Sequence, residues 1–446
     1  LHKHKTTWLK LFDRSFSFYT IVILSCLALF AVYGFGLTEQ PALKLNLFDI
    51  SATDDTPAIT MKSALRLQRS DYGYHRPRPP YLPVQHVSHT CVINRNTSSE
   101  QVIHLPTAVP HLILIGAQKS ATSEFRVLAD KHINAITPHS VGAGEPSFLN
   151  DEVEGPVMEL MLKGNKEEEV RDALCRFRQK YTEFFDMSRV NENAMIVAME
   201  KTPVYIMHPN LPLVIDALCP WKPKILTILC DPVERAWSHY RMDVRKSQQR
   251  VPMTIPSFAE RVRRGIDDFI SNGLLNVGTM SLQDFQTSLA NNSDVPSSPF
   301  AFPKNVTIEK YAQLFEDYKE SKEGHLIRGL YAPLLLPWVK QFAADDRLMV
   351  MKFKEMWNET SVDEAFRFAG VADTSIDDER LANKKKKTTT GEGDHHANKG
   401  IEMSLDPTIQ LYLKFLYQPF NRLLAQLLGE EWDGWGEYGV AEKAAM

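Results

Sequence analysis

A lysine stands in a loop of small residues between a predicted strand and a predicted helix. Residues 112–115 are all apolar, which is typical of a strand buried on both faces, and residues 124–132 have helical spacing. The loop between these two segments carries a cation, hydroxyls and a methyl group, on Lys119, Ser120, Ala121, Thr122 and Ser123. Free N–H groups and the dipole at a helix N-terminus, together with one lysine, favour phosphate or sulfate binding. Taken alone, the loop is equally compatible with an ordinary strand-to-helix turn.

The loop does not have the Walker A pattern of nucleoside triphosphatases. In that pattern the lysine follows the second of two glycines, whereas Lys119 comes three residues after Gly116, which is the loop's only glycine. A P-loop kinase is therefore a disfavoured class for this chain.

A second chemically suggestive segment is "CDPVERAWSHYR", residues 230–241. Its Asp-Pro pair is a helix start signal, and the helix would place Arg235, Ser238 and His239 within one turn of each other. Read alone, this segment is a capped amphipathic helix without an assigned role.

Parallel strands with crossover helices would have to position these groups. After residues 112–115, further strands are predicted at 195–200, 224–230 and 347–353, with helical stretches between them. We predict an α/β fold with a parallel sheet flanked by helices. Residues 271–306 are predicted as a surface insertion, and residues 406–429 as a helix that Pro419 kinks or splits.

Residues 16–37 contain no charged side chain and are long enough to cross a bilayer as a helix. Four cations against one acid precede this segment, so the positive-inside rule places residues 1–15 in the cytoplasm. We predict a retained signal anchor, with a cleaved signal peptide as the alternative. Residues 38–108 are predicted as a stem and residues 109–440 as the folded domain.

The composition excludes few functional classes. The chain has 446 residues with a net charge of −4, which gives no support for nucleic-acid binding. No cysteine or histidine spacing resembles a metal site, so we predict no metal. The cysteines outside the membrane segment allow at most two disulfides, of unreadable pairing. Four sequons weakly support a lumenal domain; they begin at Asn96, Asn291, Asn305 and Asn358.

In combination, three segments resemble the sulfotransferase family. These are "GAQKSATS" (116–123), "EKTPVY" (200–205) and "DPVERAWSHY" (231–240), in this order and after predicted strands. More narrowly, the chain looks like the membrane-anchored carbohydrate branch, which includes the heparan sulfate N- and 3-O-sulfotransferases. The further matching segments are "GEPSFL" (144–149), "RGLYAPLLLPWVKQF" (328–342) and "PFNRLLAQLLG" (419–429). The resemblance covers about residues 110–436.

The resemblance implies 3′-phosphoadenosine-5′-phosphosulfate as the sulfuryl donor. The loop of residues 119–123 would hold the 5′-phosphosulfate, with Lys119 on the bridging oxygen. Ser238 matches the serine that binds the 3′-phosphate. Lys399 and Gly400 match a late basic loop over the same phosphate.

The resemblance also implies an acid–base pair for the transfer. Glu145 matches the carbohydrate branch's general base, and Lys201 matches a lysine near the transferred sulfuryl group. Sulfuryl transfer demands a base on the acceptor and a cation on the leaving phosphate, and Glu145 and Lys119 fill these roles without a metal. Read alone, Glu145 is a loop carboxylate and Lys201 a lysine at the end of a surface strand.

Two residues depart from the family pattern. Cys230 stands where the family has an arginine among its 3′-phosphate contacts, and a cysteine supplies no fixed positive charge. Arg235, Arg241 or the run 384–387 could compensate, or donor affinity could be low. Alternatively, Cys230 is buried or bonded to another cysteine, with Cys219 or Cys175 as the partner. Ala121 stands where the family favours glycine, so a positive φ there would strain the loop, whereas a helical φ would not.

The sequence therefore predicts a Golgi sulfotransferase with type II topology, acting on a hydroxyl or amine of a glycan. Two alternatives remain open. One is a non-catalytic member of the fold that binds glycan or nucleotide, which the cysteine at position 230 favours. The other is an activity on a tyrosine-bearing protein acceptor.

Overall fold

The described residues of the computed structural model fall within one compact unit, Ile59–Met446. They are residues 74–77, 81, 86–94, 100–105, 107–139, 145–162, 167–249, 255–291, 298–303, 307–318, 324–371, 403–429 and 431–432. The predicted cytoplasmic tail and anchor, together with Lys399 and Gly400, lie outside these ranges. Within them, no helix combines the length and apolar character needed to cross a bilayer.

A parallel five-stranded sheet forms the centre of the domain, and a separate antiparallel hairpin precedes it. The hairpin strands are β1 (His89–Asn94) and β2 (Glu100–Leu105). The sheet strands are β3 (Leu112–Gly116), β4 (Ala135–Ile136), β5 (Val197–Lys201), β6 (Lys224–Leu229) and β7 (Leu348–Lys352). Their order across the sheet is β4-β5-β3-β6-β7.

Helices pack around this sheet. In chain order they are α1 (Thr122–Lys131), α2 (Glu154–Leu162), α3 (Glu167–Thr182), α4 (Met187–Glu192), α5 (Leu211–Leu218), α6 (Pro232–Gln249), α7 (Phe258–Ser271), α8 (Leu282–Ala290), α9 (Ile308–Tyr318), α10 (Gly324–Ile327), α11 (Tyr331–Phe342), α12 (Glu359–Phe368) and α13 (Pro407–Leu428). A π-helical turn (Leu149–Val153) and two 3₁₀ turns (Tyr205–Met207 and Phe353–Trp357) complete the regular structure. The predicted α/β architecture is confirmed.

The central strand β3 is buried on both faces, as its apolar run predicted. Ile113 and Ile115 belong to the larger core, whereas Leu112 and Leu114 belong to a second core. Alternate side chains of a strand point to opposite faces, so a strand covered on both sides must be apolar throughout. The four predicted sheet strands correspond to β3, β5, β6 and β7, while the two-residue β4 was too short for its pattern to be recognised.

The folded part begins before the predicted boundary near residue 109. Tyr74 is buried in the larger core, and Arg76 forms ion pairs of 3.1 Å with Glu355 and Glu364. The hairpin β1–β2 also lies in the predicted stem. These contacts with distant segments explain why local periodicity did not reveal this part of the fold.

A disulfide links the hairpin to α3 through Cys91 and Cys175. Cys219 and Cys230 are free, buried thiols. The disulfide weighed for Cys230, with Cys219 or Cys175 as its partner, therefore does not form.

One prediction about the later part of the chain, the surface insertion, is wrong, and of the kink or split predicted at Pro419 only the split is excluded. The predicted surface insertion contains α8, and its Phe285 and Phe300 are buried against Tyr412 of α13. The helix α13 runs through Pro419 without ending. Its neighbours Tyr417 and Phe420 are buried, so packing outweighs the backbone hydrogen bond that proline cannot donate.

Candidate functional site

Three segments with predicted site residues lie at the carboxyl ends of neighbouring strands in the sheet. The loop 117–121 follows β3, Lys201 ends β5, and Cys230 follows β6. Because these strands are parallel neighbours, their carboxyl ends lie side by side. In open α/β sheets the carboxyl edge is where ligands bind.

The loop after β3 is a tight turn that leads into α1. The N–H of Ala117 donates to the carbonyl of Ile228 (2.7 Å), and the N–H of Ser120 donates to the carbonyl of Ala117 (3.1 Å). The first turn of α1 has no side-chain cap. A helix start without a side-chain cap offers its backbone N–H groups to an anion.

Ala121 adopts the left-handed conformation, with φ 61° and ψ 18°. Of the two alternatives for Ala121, the positive φ that strains the loop is therefore the correct one. A non-glycine residue in this region costs roughly 1–2 kcal/mol, which explains why a glycine would suit the turn better. Lys119 in the same turn also has a positive φ, of 76°.

Lys119 lies in a strongly positive environment. Burial, together with the nearby Arg245, Lys246 and Arg241 of α6, lowers the pKa of its ammonium group to about 8. A lysine whose charge is disfavoured by other cations gains most from an anion placed beside it. The loop thus has the electrostatics of an anion site.

Glu145, Lys201 and Ser123 come together although they belong to different segments. The Lys201 ammonium Nζ donates to Glu145 Oε1 at 2.6 Å and to Ser123 Oγ at 3.4 Å. The Lys201 side chain is only 4% exposed, whereas that of Glu145 is 34% exposed. Lys201 is therefore a fixed cation that orients a carboxylate still accessible to a second molecule.

A buried carboxyl, Glu200, supports this pair and was not found from the sequence. Its Oε1 accepts from Thr202 Oγ1 (3.0 Å) and from Tyr205 OH (2.5 Å). Thr202 Oγ1 and Tyr205 OH in turn accept from the N–H groups of Ser147 (3.4 Å) and Leu149 (3.1 Å), just after Glu145. Burial raises the pKa of Glu200 to about 7. In the sequence, nothing about the segment "EKT" (200–202) shows that Glu200 is the buried carboxyl that supports this pair.

Cys230 is packed between the loop and α11. Ser120 Oγ donates to Cys230 Sγ at 3.1 Å, and Tyr331 OH donates to the carbonyl of Cys230 at 3.0 Å. Burial raises the pKa of the thiol to about 11. A neutral, enclosed thiol cannot replace the positive charge of an arginine.

The helix that carries Ser238 begins where the Asp-Pro signal predicted. Asp231 Oδ1 accepts from the N–H groups of Val233 (2.8 Å) and Glu234 (3.2 Å) at the start of α6. Ser238 is half-buried on this helix. It lies on the element that follows the carboxyl end of β6, as its proposed phosphate role requires.

Three potential metal ligands lie close together: His239 and Asp243 of α6 and His325 of α10. A cation already lies among them, because Arg261 Nη1 is 3.0 Å from both Asp243 Oδ2 and His325 Nε2. Burial and neighbouring arginines lower the pKa of both histidines. The same positive charge disfavours a metal ion.

No protein-family model and no curated protein matches the chain. Among solved structures, it is similar to a sulfotransferase from Alicyclobacillus acidocaldarius, at 17% identity and a TM-score of 0.39 over 73% of this chain and 99% of that one. It is also similar to the sulfotransferase domain from the curacin biosynthetic pathway, at 12% identity and a TM-score of 0.27, over 70% of this chain and 98% of that one. Superpositions this loose carry no argument about activity, which rests on the site itself.

Proposed function

We propose that this protein is a sulfotransferase that moves a sulfuryl group from 3′-phosphoadenosine-5′-phosphosulfate to a hydroxyl or amine of a glycan. The observation that carries this proposal is the bridge of Lys201 between Glu145 and Ser123. It links an accessible base to the loop of an anion site. The resemblance of the six sequence segments to sulfotransferases supports the same choice of chemistry.

The residues divide the chemistry between them. Glu145 accepts the proton of the acceptor O–H or N–H as the acceptor atom bonds to sulfur and the bond between sulfur and the phosphate oxygen breaks. Lys119 and the uncapped start of α1 stabilise the negative charge on the departing phosphate. Lys201 holds Glu145 in place beside the loop.

The acceptor and the compartment belong to the same proposal. A glycan acceptor and a Golgi location are favoured by the similarity of "GEPSFL" to the carbohydrate branch and by the charge-free segment 16–37 behind a basic tail. The Cys91–Cys175 disulfide fits an oxidising compartment such as the secretory pathway. A tyrosine-bearing peptide is the competing acceptor.

The test is transfer of radiolabel from the donor by the purified full-length protein. Desulfated glycosaminoglycans and tyrosine-bearing peptides serve as acceptors. Lys119→Ala should reduce transfer on the order of 100-fold or more, because it removes a charge that acts on the leaving group. Near-normal transfer by this variant would remove the loop from the mechanism.

Cys230 favours a second candidate, a non-catalytic protein that binds nucleotide or glycan. The enclosed thiol removes one cation that the resemblance implies for donor binding. Calorimetric binding of the donor without transfer to any acceptor would support this candidate over the enzyme.

A further inference from the structure

Two arginines near the loop have guanidinium N–H groups that bind nothing in the described part of the chain. Arg235 of α6 is fully buried, and its Nη2 donates to the carbonyl of His325. Its Nε and Nη1 have no hydrogen-bond partner there, and neither has Nε of Arg328. Buried donors of this kind are normally satisfied, so each one indicates a missing acceptor.

Neither Arg235 nor Arg328 forms an ion pair among the described residues. The charge of Asp243 acts on Arg328, but its Oδ2 already accepts from Arg261 and His325. Burial, together with the charge of Arg235, lowers the pKa of Arg328 to about 10. Two guanidinium groups therefore share a partly enclosed region without a matching negative charge. Such an arrangement is costly unless an anion completes it.

The pair lies where the anion loop meets α6. Arg328 Nη1 donates to Oε1 of Gln118, the residue before Lys119. Arg235 precedes Ser238 by about one turn of α6 and acts on the pKa of the Cys230 thiol. Arg235 thus lies close to the position where the resemblance expects an arginine and the chain has Cys230, and Arg328 lies close to Arg235 and to the loop.

We propose that Arg328, with Arg235 behind it, supplies the cation for the donor's 3′-phosphate that Cys230 cannot supply. This inference rests on the proposed function and names the residue on which donor recognition depends. Arg328 is half-buried, so part of its side chain is open to a ligand, whereas Arg235 is enclosed and contributes through the electrostatic effect of its charge. The guanidinium plane suits a phosphate dianion, because it offers parallel N–H donors.

The experiment compares two nucleotides by calorimetry on the full-length protein. Adenosine 3′,5′-bisphosphate carries the 3′-phosphate, and adenosine 5′-monophosphate lacks it. Arg328→Gln should weaken binding of the bisphosphate by roughly tenfold or more and leave the monophosphate unchanged, because a charge-assisted contact to one phosphate is lost. Arg328→Lys should retain part of the affinity.

Two matched variants define the site. Arg263→Gln removes an exposed arginine of α7 that is paired with Glu260 and Asp267, and it should change neither affinity. Arg241→Gln removes a competing cation of α6. Melting curves of each variant show that its fold is intact.

The outcomes separate this inference from the proposed function. If the unaltered protein binds no bisphosphate, both the function and the inference are rejected. If it binds, and Arg328→Gln binds equally well or loses both nucleotides equally, only the role of Arg328 at the 3′-phosphate is rejected. Loss of bisphosphate binding in Arg241→Gln but not in Arg328→Gln would move the role to Arg241.

Discussion

Replacing Cys230 by arginine should destabilise the domain, although it restores the residue that the sulfotransferase resemblance implies. The thiol is 7% exposed and contacts Ser120 of the loop. Arg235, which is fully buried, already lies close enough to lower the thiol's pKa. A second guanidinium would enter this enclosed space beside the first, where the neighbouring carboxylate, Asp231, already accepts from the backbone at the start of α6.

The magnitude follows from two costs. A buried charge without a partner costs about 3–5 kcal/mol, and forcing a larger side chain into a packed site costs about 1–3 kcal/mol. Partial relaxation toward solvent reduces the sum, so we expect a loss of about 3–5 kcal/mol in the free energy of unfolding. For a domain of this size the melting temperature should fall by about 4–7 °C.

The assay is thermal and urea unfolding of the variant, with Cys230→Ser as its matched control. Serine keeps a small polar group that can accept from Ser120, so the control should stay within about 1 kcal/mol of the unaltered protein. An arginine variant with unchanged melting temperature and tighter binding of adenosine 3′,5′-bisphosphate would refute this reasoning. It would mean that the side chain at position 230 faces the ligand.

Three further predictions concern the site and the fold. Glu145→Gln should lower turnover on the order of 100-fold and leave the affinity for adenosine 3′,5′-bisphosphate unchanged, because a base acts on the acceptor proton; lost affinity would instead make Glu145 a structural residue. Burial raises the pKa of Glu200 from 4.5 to about 7, so the stability that its protonated form contributes is complete below pH 4.5 and is lost as the pH rises through about 7. The decline amounts to roughly 3 kcal/mol, and Glu200→Gln should abolish it in urea unfolding between these pH values; equal slopes in both proteins would contradict the assignment. Cys91→Ser should lower the free energy of unfolding by about 2–5 kcal/mol, because it opens the disulfide between residues that are 84 positions apart. Cys219→Ser is the control, since it removes a thiol that is not in a disulfide. A melting temperature that does not respond to reductant would oppose this prediction.

The four longer sheet strands, the loop after β3 and the start of α6 were determined by the sequence alone. Each depends on a pattern within a few neighbouring residues. A continuous apolar run predicts a strand covered on both faces, and Asp231 followed by Pro232 predicts a helix start. The loop after β3 was readable for the same reason, since its small residues and Lys119 are consecutive.

Which segments contact each other was decided by the tertiary structure. Glu145 and Lys201 are 56 positions apart, and Arg328 and Gln118 are 210 positions apart. Periodicity shows which face of a segment is apolar, but packing of the whole core decides which faces meet.

The conformation of Ala121 and the environment of Cys230 were likewise decided only in three dimensions. Both were open alternatives in the sequence, because a residue's type does not state its backbone conformation or its burial. The closure of the loop against β6 imposes the positive φ on Ala121 and encloses the Cys230 thiol beside Ser120. That enclosure keeps a charged side chain out of position 230, so we propose Lys119 and Arg328 as the groups that an anion meets.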